Sequence, residues 1–198
     1  MLLITALAVL VWSGVNPNGR FNWMMEVLPA IVGGAILVIT YRRFPFTTVT
    51  YVIVWLFALI LMVGGHYTYA EVPIGNWARD AFGWSRNHYD RMGRVMQGVV
   101  PAVIAREILL RTSSVRRGRW LPVLCVSLAL SVSACYELFE WRYAVMFGGE
   151  RASDFLGSQG DIWDAQQDMA MALIGAILAM LLLSRLQNRQ MAALARGK

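Results

Sequence analysis

Charge is the scarcest thing in this chain. Asp, Glu, Lys and Arg make up 15% of its 198 residues, where soluble domains carry about 25%, so a water-exposed globule of this size would lack polar cover. The shortage does not signal disorder, because hydrophobic residues reach 58% and aromatics 12%, too apolar for a chain that stays unfolded in water. Cysteine is nearly missing as well. Cys125 and Cys135 sit in one apolar run, which excludes a disulfide-stapled secreted module. Neither a Gly-rich Lys-Ser/Thr phosphate loop nor a nucleophile elbow occurs, which argues against nucleotide hydrolysis. What remains, at a mean hydropathy of +0.51, is an all-α, polytopic membrane protein.

A helix needs roughly 20 apolar residues to cross a hydrocarbon core about 30 Å thick. Residues 45–65, 92–110, 120–141 and 166–184 meet that length, and 25–41 is slightly short but free of charge between Glu26 and Arg42. Residues 1–15 are shorter again, without the basic start or small-residue cleavage site of a signal peptide. The expectation is a single integral membrane domain over residues 1–198 with six spans. No soluble domain fits between them, and the second half does not repeat the first.

Basic residues orient the spans. Arg42 and Arg43 follow the second; Arg111, Arg116, Arg117 and Arg119 follow the fourth; Arg185, Arg189, Arg196 and Lys198 follow the sixth, and none of these segments holds an acid. The opposite loops carry Arg20 alone, then both signs over 71–90 and 142–164. Lys and Arg favour the cytoplasmic side, so both termini are expected inside. The net charge of +6 is then a record of topology, not of nucleic-acid binding. Trp77, Trp84, Trp141 and Trp163 near the outer ends of spans, and Trp120 at an inner end, suit interfacial anchoring.

The informative charges are those that enter the spans. Glu137 and Glu140, three residues apart, share one face of the fifth. Asp161, Asp164 and Asp168 descend one face of the sixth, and Asp90, Arg94 and Gln97 one face of the fourth. All three stripes enter from the outer side. A charge at mid-membrane costs about 2.5 to 3.5 kcal/mol, so the stripes should face one another around a polar cavity. Six carboxylates (Asp90, Glu137, Glu140, Asp161, Asp164, Asp168) stand against Arg91, Arg94 and Arg142, and such an excess calls for protons or a cation.

Three readings stay open. Arginine–carboxylate pairing can simply hold helices together, with loop residues such as Arg86 and Arg151 supplying further positives. A functional site would use Asp90, Glu137, Glu140, Asp164 and Asp168 as acid–base candidates and His88, Arg91, Arg94, Gln97 and Gln166 as substrate-binding candidates. A divalent metal ion would draw on His66, His88, Glu137 and Asp168. Arg106 and Glu107, near the inner end of the fourth span, are expected to snorkel to the interface. Gly33, Gly34 and Gly175 are expected to mark close helix approach. Residues 153–161 are expected to form a turn that caps the sixth helix through Asp161 or a neighbour.

Three blocks resemble the YjdF-like family of bacterial inner-membrane proteins. They are His-Tyr-Asp-Arg-Met-Gly at 88–93 with Gln-Gly at 97–98 and Ala-Arg-Glu-Ile-Leu-Leu-Arg at 105–111; Glu-Leu-Phe-Glu-Trp at 137–141; and Gly-Ser-Gln-Gly-Asp-Ile-Trp-Asp-Ala-Gln-Gln-Asp-Met at 157–169. The resemblance covers spans three to six and implies a multi-pass protein of the bacterial inner membrane, without bringing an activity. The family pattern often has His where this chain has Arg94, so a metal role resting on that His does not carry over. A more distant similarity to VanZ-like membrane proteins, through Asp90-Arg91, Glu137 and Asp168 to Gly175, implies a link to the cell envelope.

Three functions compete. One is an enzyme or lipid-handling protein with an acidic site on the outer leaflet, binding an envelope lipid or a cation. The second is a small proton- or ion-coupled carrier, which needs a polar path to the cytoplasm. The third is a non-catalytic membrane subunit, for which stoichiometric co-purification is the test. Oligomeric state has no signature in the sequence.

Overall fold

The computed structural model describes residues 1–147 and 160–196, and every regular element among them is helical. The order is α1 (Leu2–Ser13), α2 (Arg20–Thr40), α3 (Thr48–Tyr67), a 3-10 turn (Tyr69–Glu71), α4 (Pro73–Phe82), α5 (Tyr89–Thr112), α6 (Trp120–Phe147), α7 (Asp164–Leu182) and α8 (Ser184–Arg196). Four of these, α2, α3, α6 and α7, are long and apolar enough to cross a membrane. α1 is apolar but only 12 residues long. α5 is 24 residues long, about 36 Å of helix, but Asp90, Arg91, Arg94, Arg106, Glu107 and Arg111 make it too polar to count by composition.

Packing explains how α5 carries that polarity. It is the central helix, set against α3, α6 and α7, so its charges face protein. The outer skin is apolar instead: Ile36, Ile39, Leu181 and Leu182 are all exposed, an arrangement suited to lipid and not to water.

The tightest crossing is between α5 and α7, and glycine makes it. A Cβ on Gly98 of α5 would run into the carbonyl of Ala172, and one on Gly175 of α7 into the carbonyl of Val95. Each helix thus lends a glycine to the other's backbone, which is how membrane helices gain contact without a hydrophobic drive. Val99, Ala102 and Val103 of α5 continue the core with Cys125 and Ala129 of α6 and Ala176 and Ala179 of α7. Small residues keep all three axes close. Gly33 and Gly34 do not serve this purpose, because nothing lies within 4 Å of either Cβ position; α2 meets mainly α3 there, and its far side is open.

The short α4 is bounded by Pro73 in its first turn and by Gly83 at φ +67°, a left-handed C-terminal cap. The chain then returns through Asn87, whose Nδ2 donates to the Val72 carbonyl (3.1 Å) and whose Oδ1 accepts from the Tyr89 N–H (2.9 Å). That side chain fixes where α5 starts. The turn expected over 153–159 lies outside the described residues. At the start of α7, Asp161 Oδ1 accepts from the Trp163 N–H (2.9 Å), one step ahead of the helix.

Candidate functional site

The N-terminal ends of α2, α5 and α7 meet the C-terminal ends of α3 and α6 at one end of the bundle, and the polar stripes converge there. Arg94 is the hub. Its Nη1 donates to Glu137 Oε1 (3.0 Å), its Nη2 to Glu140 Oε1 (2.8 Å), and its Nε lies 2.8 Å from Asp168 Oδ2. The guanidinium also covers the Tyr136 ring at 5.2 Å from its centroid.

Asp168 is shared. Its other oxygen accepts from Arg91 Nη1, while Arg91 Nη2 donates to Asp164 Oδ1 (3.0 Å) and to Gln167 Oε1 (2.9 Å). Arg86 completes the chain of pairs, donating to Asp90 Oδ2 (2.5 Å) and reaching Asp164 Oδ1 at 3.4 Å. Asp161 lies within 3.7 Å of Arg86 and 3.5 Å of Arg91. Three arginines therefore serve six carboxylates, so three negative charges are left over if all are ionised. Arg86 holds the place expected of Arg142, which is exposed and outside the network.

Beside this network lies a cavity of about 150 Å³. Glu26 of α2, Asp90, Arg94 and Gln97 of α5, Glu140 and Tyr136 of α6, and Tyr69 line its polar part. Pro29, Phe57, Leu61, Val100, Pro101 and Val132 line the rest. Glu26 is 6% exposed and faces Arg94 and Tyr69. Gln97 is buried, its Oε1 accepting from Arg94 (3.2 Å) while its Nε2 has no partner. Burial, with Glu26 alongside, pushes the Tyr69 hydroxyl well above its ordinary pKa, so it stays a proton donor. The cavity thus offers acceptors on Glu26, Asp90 and Glu140 and donors on Gln97 and Tyr69, above an apolar floor.

The structure gathers Asp90, Arg91, Arg94, Gln97, Glu137, Glu140, Asp164 and Asp168 as one network. It leaves out Gln166, which is exposed on the far side of α7, and uses Gln167 instead. The first turn of a helix rotates neighbours by about 100°, so the choice between adjacent glutamines depends on where the helix begins. His88 is half-buried with its ring edge-on to Trp84. His66 has Nδ1 3.0 Å from the Ser13 carbonyl and its ring against Trp12. The expected set of His66, His88, Glu137 and Asp168 is therefore not assembled, and the described residues hold no group of three or more His, Cys, Asp or Glu placed for a metal ion. Glu26 was not legible as a site residue, since it precedes its charge-free run by sequence and joins the cavity only through the α2–α3–α5 packing.

The opposite end holds a second buried cluster in place of the expected snorkelling. Glu107 is fully buried and accepts from the Thr47 N–H (3.0 Å), the Thr47 hydroxyl (2.5 Å), the Thr50 hydroxyl and Gln187 Nε2 (3.2 Å). Arg111 lies 3.5 Å away. Gln187 also donates to the Val103 carbonyl (3.0 Å), and Gln190 Oε1 accepts from the Val49 N–H (2.9 Å). One carboxylate and two glutamines thus fasten α8 to the ends of α3 and α5. The signal was Thr47 and Thr50 at i, i+3, the N-cap of α3 and its hydroxyl partner.

Comparison with known proteins agrees on membrane location. A family model described as "Predicted membrane protein (DUF2238)" matches residues 1–189. The chain is 45% identical over 188 residues, 95% of its own length and 90% of the relative's, to "Inner membrane protein YjdF" of Escherichia coli (strain K12). No solved structure matches. The likeness to VanZ-like proteins has no support in these comparisons.

Proposed function

The chain belongs to the DUF2238 family of predicted membrane proteins and to the bacterial inner membrane, and on that premise we propose six spans with both termini cytoplasmic. α1, α2, α3, α5, α6 and α7 are the spans. α1, at 12 residues, is about 18 Å long and relies on local thinning of the bilayer. Supporting this orientation, the α2–α3 and α5–α6 connections and α8 carry arginine without exposed acid. Reporter fusions active after residue 75 and inactive after residues 43 and 116 are the expected pattern.

In that frame the acidic cavity opens to the outer half of the membrane, and its function is to bind an envelope amphiphile whose head group carries an amine. The observation that carries this reading is the mismatch of charge above an apolar floor. Six carboxylates meet three arginines in the network, and Glu26 adds a seventh at the cavity wall. A cationic head group relieves that excess without the cost of an uncompensated buried charge. Tyr69 and Tyr136 add ring faces that suit an ammonium, while Leu61, Val100 and Val132 receive chain carbons. A carrier finds less support, since the layer below is Val99, Ala102, Val103, Cys125 and Ala129.

The test uses the full chain purified in mild detergent, with bound species read by native mass spectrometry and metal by elemental analysis. Amine-bearing lipid should be retained in preference to phosphatidylglycerol of the same chains. Glu26→Gln should lower that retention about tenfold, the worth of one charge-assisted hydrogen bond, with unchanged melting. Retention of amine-bearing lipid that Glu26→Gln leaves unchanged, or a stoichiometric divalent metal in place of lipid, would overturn this reading.

A further inference from the structure

A second cavity, of about 270 Å³, lies at the opposite end, where α6 begins and α7 passes into α8. Arg106 stands on its wall and Arg117 of the α5–α6 connection on its rim. Arg106 is 4% exposed. Among the described residues no carboxylate lies within ion-pair distance of it, and it donates to neutral amides, Asn188 Oδ1 at 2.7 Å and Gln187 Oε1 at 3.4 Å. The adjacent acid does not help, because Glu107 is taken up by Thr47, Thr50, Gln187 and Arg111. A guanidinium buried without a counter-charge is costly, yet this one borders open space.

Two further features of the cavity have the same sign. α6 starts at its edge with Leu121 among the lining residues and no acid in its first turn, and the free amides of a helix start carry about half a positive charge. Arg116, Arg119, Arg185 and Arg189 flank the opening in sequence, all exposed. Ser184 and Asn188 add neutral polar groups, and the rest of the wall is apolar apart from Gly118: Leu121, Pro122, Met180 and Leu181, the last 71% exposed on the outward face of α7. A basic head end joined to an apolar, outward-facing flank has the chemistry of a site for an acidic lipid.

We propose that Arg106 and Arg117 bind the phosphate of an anionic lipid head group, with its chains along Leu181. Only the assignment to the cytoplasmic leaflet rests on the topology given above; the anion chemistry stands apart from it and from the outer cavity. Free phosphate shares this chemistry, but it would not use the exposed apolar flank.

The test titrates phosphatidylglycerol or phosphatidylcholine of identical chains into the detergent-purified full chain and reads bound lipid by native mass spectrometry, with and without millimolar inorganic phosphate. Phosphatidylglycerol should be retained over phosphatidylcholine. Arg117→Gln, at an exposed position that leaves the fold alone, should lower its retention about fivefold, as expected for one arginine at a lipid head group. Arg106→Gln should lower it further, and Arg42→Gln, in another basic loop, should have little effect. Competition by inorganic phosphate that matches the lipid would assign the site to a soluble anion and overturn the lipid. Phosphatidylglycerol retention that Arg106→Gln and Arg117→Gln leave unchanged, or an Arg42→Gln loss as large as that of Arg117→Gln, would overturn the site itself. Glu26→Gln should leave this binding intact, which separates failure here from failure of the outer cavity.

Discussion

Arg94 holds Glu140 by both oxygens, Nη2 lying 2.8 Å from Oε1 and 3.0 Å from Oε2. The same guanidinium reaches Glu137 and Asp168, so one planar group ties α6 and α7 to α5. Lysine offers a single nitrogen and cannot serve three carboxylates from one position.

Removing Arg94 strands Glu137 and the buried Glu140 and leaves Asp168 with Arg91 alone, and breaking such a pair from one side costs about 3–5 kcal/mol. Arg94→Leu is expected to purify largely aggregated, and Arg94→Lys to melt well below the parent. The double change Arg94→Leu with Glu140→Leu should recover part of the loss. Size-exclusion profiles and thermal melts in detergent decide this; an Arg94→Lys protein as stable as the parent would contradict the hub.

The glycines divide into two groups with opposite expectations. Gly98→Ala and Gly175→Ala push a methyl into a facing carbonyl, and forced repacking of this kind costs about 1–3 kcal/mol. Gly33→Ala and Gly34→Ala meet open space and gain helix propensity of roughly 1 kcal/mol at most. Lowered melting for the first pair, and unchanged or raised melting for the second, is the expected pattern.

That division also marks how far the sequence could be read. Asp90, Arg94 and Gln97 share a face by spacing alone, as do Glu137 with Glu140 and Asp164 with Asp168, because helical periodicity is local. Which stripes meet is a second step, and the cost of charge in lipid supplies it. Nothing comparable distinguishes Gly33 from Gly98, since both are glycines in apolar helices and only the crossing of α5 with α7 separates them. Glu26 and Arg86 belong to the acidic end through tertiary packing, one from the α2 side and one from a loop. Arg106 and Glu107 looked interfacial because they lie near a helix end, and it is α8, folded back over that end, that buries them.

The clamp on α8 is open to proteolysis. Gln187 donates to Glu107, Thr50 and the Val103 carbonyl and accepts from Arg106, so Gln187→Leu removes four contacts and leaves Glu107 short of a donor. An unsatisfied buried acceptor costs about 1–3 kcal/mol, more when charged. α8 should then loosen while the spans persist, and trypsin should cut at the exposed Arg185 and Arg189 about tenfold faster than in the parent, following the shift in local opening. Unchanged cleavage kinetics would mean that Gln190 and Met191 hold α8 without the Glu107 cluster.

The two cysteines of α6 report on which face of that helix is covered. Cys125 is buried in the core with Val99, Ala102 and Ala176, whereas Cys135, ten positions on, is exposed. Ten residues turn a helix by nearly three turns less about 80°, enough to carry a side chain from the protein face to the lipid face. In detergent, N-ethylmaleimide should therefore modify Cys135 alone in the folded chain, and Cys125 only after denaturation. Gly98→Ala, by opening the α5–α7 crossing beside this core, should speed Cys125 labelling, while Gly33→Ala should not. Equal labelling of both cysteines in the parent would contradict the packing of α6 against α5 and α7.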